Sequence, residues 1–302
     1  MSSSIPVQSV QICRTCGGGA PLDVHFCPQC TKILTLGRQG DYFAFLGVPR
    51  KLNLDLAVLR RREDGFHDIR TTMQAIDLHD LITLTPADTT TLTTSGIKVT
   101  NAPDNSILRA HAAMEELARR KLPTAIHLHK RIPPGSGMGG ASSDAAATLR
   151  GLAALHHITT DLTSIARNLG ADVPFFLTGG AAIAEQRGDH LTPIPTEPQW
   201  FAIAWPEVEL LTPDVYRAWD EMPGTMPNQL TKAAMSIQPR LREFANALNK
   251  ESKNWQMTGS GSAFFRKAAD EEEAHRATKG LKTWTAVAHS VPPWAEARMK
   301  PA

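Results

Sequence analysis

Residues 133–144 read Pro133-Pro134-Gly135-Ser136-Gly137-Met138-Gly139-Gly140-Ala141-Ser142-Ser143-Asp144, and helix-forming alanines follow directly. The four glycines of residues 133–140, here called the glycine loop, remove the Cβ atoms that would hold a ligand away from the backbone. A loop that feeds a helix N-terminus collects N–H groups and the positive end of the helix dipole, which together hold an anion. We expect Ser142 to cap the helix, and Ser142 and Ser143 to offer hydroxyls to a phosphate or a metal ion. The stretch therefore predicts a nucleotide phosphate site.

A glycine-rich stretch of this kind can also belong to a Walker A loop, a dinucleotide site or a flexible surface loop. A Walker A loop is excluded, because Ala141 follows Gly140 where that motif requires lysine. Gly135, Gly137 and Gly140 match the Gly-x-Gly-x-x-Gly pattern of dinucleotide sites, but the two prolines ahead of them end a preceding strand too early for that site. A flexible surface loop stays open as an alternative, since glycine is also the default turn residue.

Length and composition indicate an ordinary globular protein. The 302 residues allow for about two domains, and 42% hydrophobic with 21% charged residues exclude wholesale disorder. A formal net charge of +2 lacks the strong excess of positive charge that is typical of nucleic-acid-binding proteins. The first ten residues lack a secretory signal pattern, and no apolar run approaches the ~20 residues of a membrane span. We expect a protein of the cytoplasm or an organelle matrix, with no nucleic-acid or membrane partner.

All four cysteines lie in two Cys-x-x-Cys pairs, Cys13 with Cys16 and Cys27 with Cys30. Two such pairs at this spacing supply four thiolates for one tetrahedral zinc, which leaves no open position for water or substrate. The alternatives are two disulfides or unligated thiols, and the lack of an export signal argues against disulfides. The sequence predicts a structural Zn²⁺ in a small N-terminal zinc ribbon at residues 1–40.

The N-terminal segment resembles the zinc ribbon and linker of the J-protein co-chaperone family of iron–sulfur cluster assembly. The resemblance runs through the cysteines and residues 41–47 to Leu54-Asp55. A J-domain acts through a His-Pro-Asp tripeptide, which this chain lacks. The resemblance implies a zinc-ribbon appendage without co-chaperone activity, and the partner of the ribbon is unknown.

Two charged residues in apolar surroundings suggest a pair. Lys51-Leu52-Asn53-Leu54 reads as a half-buried strand, with Lys51, Asn53 and Asp55 on one face. Asp172 follows a helix end at Gly170, and its sequence neighbours are apolar. A carboxylate in such surroundings needs a cation, because an unpaired buried charge costs several kcal/mol. Lys51 is the candidate cation, either for structure or for catalysis.

Periodicity predicts the elements around the glycine loop. Helical spacing runs over Asn105–Arg120, and Ala125–His129 alternates like a strand with two solvent-side histidines. A helix is expected at Ser142–His156. The charged turn Arg60–His67 carries a ring and an imidazole that could bind a base or simply pack. The small-residue turn Thr258–Ser262 either approaches a ligand or only reverses the chain.

Five segments occur in the order found in the GHMP kinase superfamily: Lys51-Leu52-Asn53-Leu54, Asp64-Gly65-Phe66-His67, residues 134–146, residues 169–175 and residues 258–263. The second and fourth segments resemble most the kinases of cytidine diphosphate-linked methylerythritol in non-mevalonate isoprenoid biosynthesis. The resemblance covers about Pro49 to the C-terminus. It implies a two-domain α+β fold, with an ATP-binding GHMP kinase N-terminal domain at residues 41–190 and a C-terminal domain at residues 191–302.

The resemblance also implies roles for particular residues. Asp172 is expected to deprotonate the acceptor hydroxyl, and Lys51 to keep Asp172 ionised and to stabilise the transferring group. Asn53 is expected to contact the substrate near that hydroxyl. The ATP phosphates are expected to lie against Pro134, Gly135, Ser136, Gly137, Met138, Gly139, Gly140, Ala141, Ser142 and Ser143. The cytosine is assigned to Phe66, His67 and Tyr216, and the substrate phosphates to Gly259, Ser260 and Gly261. Mg²⁺ is implied by the nucleotide.

Two positions depart from the family pattern. Arg50 stands where a small residue usually precedes the lysine, and Asp55 replaces an apolar or aromatic residue. Asp55 is expected to share the face of Lys51 and to compete for its ammonium group, so lost or altered activity is expected to begin here. The main hypothesis is an ATP-dependent kinase of cytidylated methylerythritol. Another small-alcohol GHMP kinase, and a non-catalytic zinc-ribbon interaction protein with a kinase-like body, are the alternatives.

Overall fold

The computed structural model describes residues 10–12, 19–21, 33–36, 42–98, 104–251 and 254–293. Cys13, Cys16, Cys27 and Cys30 lie outside these residues, so the zinc ribbon stays a prediction. Within the described ranges, no helix combines the length and the apolar character needed to cross a membrane.

The described part of the chain begins with a run of strands, and groups of helices and strands then follow one another. The strands are β1 (Val10–Ile12), β2 (Gly19–Pro21), β3 (Ile33–Leu36), β4 (Tyr42–Asn53), β5 (Ala57–Arg61), β6 (His67–Pro86), β7 (Thr91–Gly96), β8 (Thr124–Lys130), β9 (Ala181–Gln186), β10 (His190–Ile194), β11 (Trp200–Trp205), β12 (Gln256–Met257), β13 (Phe264–Ala268) and β14 (Trp284–His289). The helices are α1 (Ser106–Ala118), α2 (Gly140–Leu155), α3 (Thr163–Leu169), α4 (Val173–Thr178), α5 (Thr212–Glu221), α6 (Thr231–Ile237), α7 (Arg240–Glu251) and α8 (Glu271–Thr278).

The larger sheet is built around the long strand β6. Its main path runs β10-β9-β6-β4-β3, while β5 and β8 also pair with β6 and β7 pairs with β8. The pairings are antiparallel, except for the parallel pair of β7 and β8. Lys51 and Asn53 of β4 are each only 3% exposed, because residues 137–138 of the glycine loop and Thr258 lie against this end of the strand. The face predicted to be polar is therefore buried, and its polar groups need partners within the protein.

Helices α1 to α4 pack on the larger sheet. Their shared core includes Ile107 and Met114 of α1, Leu149 of α2, and Ile126 and Leu128 of β8. Along β8 these two apolar residues alternate with the exposed His127 and His129, as the period of two predicts. Helix α2 contacts α1, α4, β4 and β6, so it is held from several sides directly behind the glycine loop.

The smaller sheet has the order β12-β13-β11-β14 and is antiparallel throughout. Helices α5 to α8 contribute to its core, which includes Val215, Leu230 and Leu241. A further apolar cluster joins the two sheets, since it contains both Leu52 of β4 and Phe201 of β11. Helices and strands are mixed around both sheets, which agrees with the predicted α+β class.

Two boundaries differ from the sequence-based expectation. Helix α2 begins at Gly140, and its N-cap is Gly139 at φ 75° with no side-chain capping bond. The prediction that Ser142 caps the helix is wrong, because a glycine in the left-handed region ends the loop and the helix starts at once. The larger sheet also continues through β10 to Ile194, past the domain boundary proposed at residue 190.

Candidate active site

The glycine loop turns tightly because every second residue adopts a conformation suited to glycine. Gly135, Gly137 and Gly139 have φ of 63°, 78° and 75°, which L side chains rarely adopt. The first hydrogen bond of α2 runs from Ser143 N to Gly139 O, at 2.9 Å. The N–H groups of residues 140–142 precede that bond and sit at the positive end of the helix dipole. The loop therefore ends in a site that favours an anion.

The loop is fixed to the turn at Thr258–Ser262, here called the second small-residue turn because the glycine loop is the first. Ser136 O accepts a hydrogen bond from Ala263 N at 3.0 Å. A Cβ on Gly137 would lie 2.5 Å from the carbonyl oxygen of Thr258, so the two backbones touch at a distance that only glycine permits. Met138 is fully buried in the cluster between the sheets and anchors the loop from below.

Ser136 of the glycine loop and Ser142 and Ser143 of α2 differ in the groups that their hydroxyls can contact. Ser143 is 1% exposed, and its Oγ donates to the carbonyl of Pro49. Ser136 Oγ donates to Pro133 O at 2.9 Å. Ser142 lines the cleft. The geometry therefore does not match the expectation that Ser143 offers its hydroxyl to a phosphate, whereas Ser142 is available for that contact.

Lys51 faces both the glycine loop and Asp172. Its Nζ donates to Gly137 O at 2.9 Å and to Asn53 Oδ1, and it lies 3.6 Å from Asp172 Oδ2. Asp172 is the residue before α4, and its side chain makes no capping bond to that helix. Burial lowers the pKa of Lys51, and the nearby negative charge of Asp172 opposes this effect. The two side chains predicted to pair do so, which leaves a carboxylate and a cation side by side.

Asn53 is held by its own contacts. Its Oδ1 accepts from Lys51, and its Nδ2 donates to Thr71 Oγ1 at 2.8 Å. Its backbone N donates to Thr258 Oγ1, also at 2.8 Å. The residue thus ties β4 to β6 and to the second small-residue turn. Its predicted contact with a substrate stays a prediction.

An aromatic wall forms where the charged turn meets α5. The rings of His67 and Tyr216 are stacked, with centroids 4.9 Å apart. Phe66 is 51% exposed, and the guanidinium of Arg187 lies 3.9 Å from its ring centroid. Burial, and to a smaller extent the charge of Asp172, raise the pKa of Tyr216. Phe66 therefore presents an open ring, while Tyr216 stacks on His67.

Sequence reasoning missed several partners of these residues. His67 Nε2 lies 2.7 Å from Asp220 Oδ1, and Asp220 Oδ2 lies 3.5 Å from Arg61 Nη1. Asn228 Nδ2 donates to Gly259 O at 2.9 Å and so fixes the second small-residue turn. Asp220 is 153 residues from His67 in the sequence, and no motif joins the two. Only the tertiary structure brings such pairs together.

One cleft of about 1060 Å³ gathers nearly all of the predicted site residues. The predicted residues that line it are Lys51, Asn53, Phe66, His67, Pro134, Gly135, Ser136, Gly137, Gly139, Gly140, Ala141, Ser142, Asp172, Tyr216, Gly259, Ser260 and Gly261. Met138 and Ser143 are buried behind its wall. A concave site of this volume suits one or two small molecules.

The two departures from the family pattern have partners of their own. Asp55 accepts from Thr72 N at 2.7 Å and from Thr72 Oγ1 at 2.8 Å. It does not compete for Lys51, because β4 ends at Asn53 and the alternation that placed both residues on one face ends with it. Arg50 is fully buried and bonds to Asp80.

Comparisons with known proteins agree with this geometry. Residues 105–180, which include the glycine loop and Asp172, match the GHMP kinases N terminal domain. The 4-diphosphocytidyl-2-C-methyl-D-erythritol kinase of Salinibacter ruber is 35% identical over 277 residues, which cover 81% of this chain and 96% of that protein. Its counterpart in Thermus thermophilus is 36% identical over 258 residues, which cover 78% of this chain and 92% of that protein.

Solved structures extend the likeness to three dimensions. A crystal structure of 4-(cytidine 5'-diphospho)-2C-methyl-D-erythritol kinase superposes with a TM-score of 0.72 at 33% identity, and covers 82% of this chain and 98% of that one. Homoserine kinase from Cytophaga hutchinsonii has a TM-score of 0.58 at 15% identity over 86% of this chain and 98% of that one, which shows a shared fold alone. Since the more similar kinases match over nearly their whole length, the chain belongs to the 4-diphosphocytidyl-2-C-methyl-D-erythritol kinase family of GHMP kinases.

Proposed function

We propose that this kinase transfers the γ-phosphoryl group of ATP to the 2-hydroxyl of 4-diphosphocytidyl-2-C-methyl-D-erythritol, a reaction of non-mevalonate isoprenoid biosynthesis. The observation that carries the proposal is the Asp172 carboxylate, 3.6 Å from Lys51 Nζ, in the same cleft as the glycine loop. Phosphoryl transfer needs mainly positioning and charge stabilisation, with one base near the nucleophile. The names of the similar kinases supply the identity of the alcohol.

The glycine loop fits the phosphates of a nucleotide. Its left-handed glycines let the backbone approach a ligand closely, and the N–H groups of residues 140–142 offer donors at a helix N-terminus. Ser142 would add a hydroxyl, because it lines the cleft. These groups would orient the phosphates without carrying a formal charge.

The proton of the acceptor hydroxyl would pass to a carboxylate oxygen of Asp172. This side chain is 28% exposed, so a substrate hydroxyl can reach it, while the buried side chain of Lys51 is held by its hydrogen bonds. Lys51 would keep Asp172 ionised and would stabilise negative charge on the group in transit. Because Gly137 O and Asn53 Oδ1 also accept from Nζ, the ammonium group is held between the loop and the base.

Mg²⁺ would neutralise charge on the nucleotide phosphates. The cleft offers single carboxylates such as Glu209, which lies beside Gly135. This donor set fits an ion bound mainly by phosphates and water.

The substrate's cytosine would stack on the open ring of Phe66 and meet the imidazole of His67. Phe66 is half exposed, and Arg187 covers one part of its ring. Asp220 would hold the His67 ring in a fixed orientation through its contact with Nε2. The substrate phosphates would lie near Gly259 to Gly261, where a Cβ on Gly259 would come within 3.2 Å of Lys51 Nζ.

An ADP-release assay with ATP, Mg²⁺ and the cytidylated alcohol tests the proposal. We expect turnover that needs all three, and competition by cytidine nucleotides against the alcohol. A folded protein that releases no ADP with this alcohol would refute the proposal. Turnover of a different alcohol, unaffected by cytidine nucleotides, would indicate another small-alcohol GHMP kinase.

We also propose that Cys13, Cys16, Cys27 and Cys30 bind one structural Zn²⁺. Their spacing supports this assignment, and the reducing conditions of a cytoplasm would keep the thiols available. Metal analysis of the purified protein tests it, because about one zinc per chain is expected. A metal-free protein with the same fold would refute it.

A further inference from the structure

A buried group of four charges lies at the base of the glycine loop: Arg50, Asp80, Lys130 and Asp144, here called the charge cluster. Their side chains are 0%, 0%, 4% and 6% exposed. Lys130 Nζ lies 2.7 Å from Asp80 Oδ2 and 2.9 Å from Asp144 Oδ2. Arg50 Nη2 contacts Asp80 and lies 3.5 Å from Asp144 Oδ1. Each cation meets both carboxylates, so the charges balance and their burial is tolerated.

The charge cluster fixes the chain where it enters the glycine loop. Asp80 Oδ1 accepts from the backbone N of Arg131 at 2.6 Å and of Ile132 at 2.9 Å. These two residues connect β8 to Pro133, and Lys130 is the last residue of β8. The first end of the loop is therefore bound to Asp80.

Arg50 fixes the chain where it leaves the loop. Its Nη1 donates to Gly140 O at 3.2 Å, and its Nη2 lies 3.5 Å from Oδ1 of Asp144, the fifth residue of α2. A Cβ on Gly140 would lie 3.6 Å from Arg50 Cζ, so the guanidinium packs directly against the last glycine of the loop. Both ends of the loop are thus bound to one rigid group of charges.

Arg50 is also the neighbour of Lys51 on β4. Lys51 N donates to Met138 O at 3.3 Å, and Lys51 Nζ donates to Gly137 O at 2.9 Å. Since successive residues of a strand point to opposite faces, β4 supplies an anchor for the end of the loop and a cation for its middle. A shift of Gly140 relative to β4 would change the distance between the loop N–H groups and Lys51.

We propose that Arg50 is a positioning residue for ATP: its guanidinium fixes the helix end of the glycine loop, so that the loop holds the phosphates at a set distance from Lys51. This inference rests on the proposed role of the loop in binding ATP. Arg50 is fully buried and acts through the loop. Lysine would keep the charge but not the geometry, because a planar guanidinium directs Nη1 to a carbonyl and Nη2 to carboxylates at the same time.

The test compares Arg50→Ala and Arg50→Lys with a control, Arg266→Ala. The control breaks the ion pair between Arg266 of β13 and Glu273 of α8, on the smaller sheet. For each variant we would measure kcat, the KM for ATP, the KM for the alcohol and the melting temperature. Calorimetry would give the Kd for ATP. We expect Arg50→Ala to raise the KM and Kd for ATP about tenfold, as the loss of one charge-assisted hydrogen bond does. The KM for the alcohol and kcat are expected to change less than about twofold.

Arg50→Lys is expected to recover part of the ATP affinity that Arg50→Ala loses, with a KM for ATP about threefold above that of the wild type. If the alanine variant does not fold, this variant carries the test alone. An unchanged Kd for ATP in folded Arg50→Lys would overturn the inference. An equal rise in the KM for ATP and for the alcohol would overturn the inference too, and so would the same rise in the KM for ATP in Arg266→Ala. Either result would indicate a general destabilisation of the fold. A wild type that releases no ADP contradicts the proposed function, whereas the calorimetric comparison still decides the role of Arg50.

Discussion

Replacing Asp172 with asparagine removes the proposed base and keeps the shape of the side chain. Asparagine retains an oxygen that can face Lys51 but cannot take a proton from an alcohol at neutral pH. At the observed 3.6 Å, the attraction between the two charges is at most ~5 kcal/mol for an effective dielectric constant of about 20. Asp172 is 28% exposed, and the buried Lys51 keeps its hydrogen bonds to Gly137 O and Asn53 Oδ1, so the net loss of folding stability is expected to be about 1 kcal/mol.

The expected effect on the rate is larger than the effect on stability. A positioned base contributes roughly 10²- to 10⁴-fold, so kcat for Asp172→Asn is expected to fall by that factor. The KM for ATP is expected to change less than about threefold, since Lys51 keeps its bonds to Gly137 O and Asn53 Oδ1. The pKa of Lys51 is expected to fall further, because the charge of Asp172 is what opposes the effect of burial.

Steady-state ADP release with the cytidylated alcohol measures this effect, and a thermal melt checks the fold. The matched control is Asp161→Asn, the same substitution at an exposed aspartate that lies just before α3 and accepts a hydrogen bond from Thr163 N. The control is expected to keep the wild-type kcat. If folded Asp172→Asn keeps kcat within about tenfold of the wild type, Asp172 is not the base and the proposed proton transfer is refuted.

Three further substitutions test other parts of the site. Gly137→Ala is expected to lower kcat/KM at least ~100-fold, because its Cβ would lie 2.5 Å from a carbonyl oxygen; Gly280→Ala has a similar positive φ and open space, and should leave kcat/KM unchanged in the same assay. His67→Ala is expected to raise the KM for the cytidylated alcohol about tenfold and to leave the KM for ATP unchanged, whereas a parallel rise in both KM values would contradict base recognition. The double variant Cys13→Ser/Cys16→Ser should lose the zinc found by metal analysis, and retention of about one zinc per chain would exclude the ribbon site.

The parts of the site that sequence could predict were those carried by local chemistry. The glycines of residues 135–140 predicted a loop that leads into a helix N-terminus, and the structure has that loop, with Gly135, Gly137 and Gly139 in the left-handed region. Asp172 was expected to need a cation because its neighbours are apolar, and it lies beside Lys51. The alternation along β8 predicted that His127 and His129 are exposed. In each case the signal lies in the immediate sequence neighbours of the residue, although the partner of Asp172, Lys51, is 121 positions away.

The parts that sequence missed depend on residues that are far apart in the chain. The contact of His67 with Asp220 spans 153 positions, and that of Arg50 with Asp144 spans 94. Two local predictions were wrong because the end of an element lies two or three residues from the expected position. Ser142 is not a cap because α2 starts at Gly140, and Asp55 does not face Lys51 because β4 ends at Asn53. Periodicity is a poor guide to the residue at which an element stops.

Arg50 shows why a departure from a family pattern cannot be judged from the residue alone. Next to Lys51, the proposed active-site lysine, a second cation would disfavour the charged state of both if it lacked an acid of its own. Asp80 and Asp144 together balance Arg50 and Lys130, although burial and the charge of Arg50 still lower the pKa of Lys130 to about 8. With a small residue at position 50, two buried carboxylates would share a single lysine. The substitution therefore completes a neutral buried cluster, and the position expected to weaken the site is the one that holds the glycine loop at its helix end.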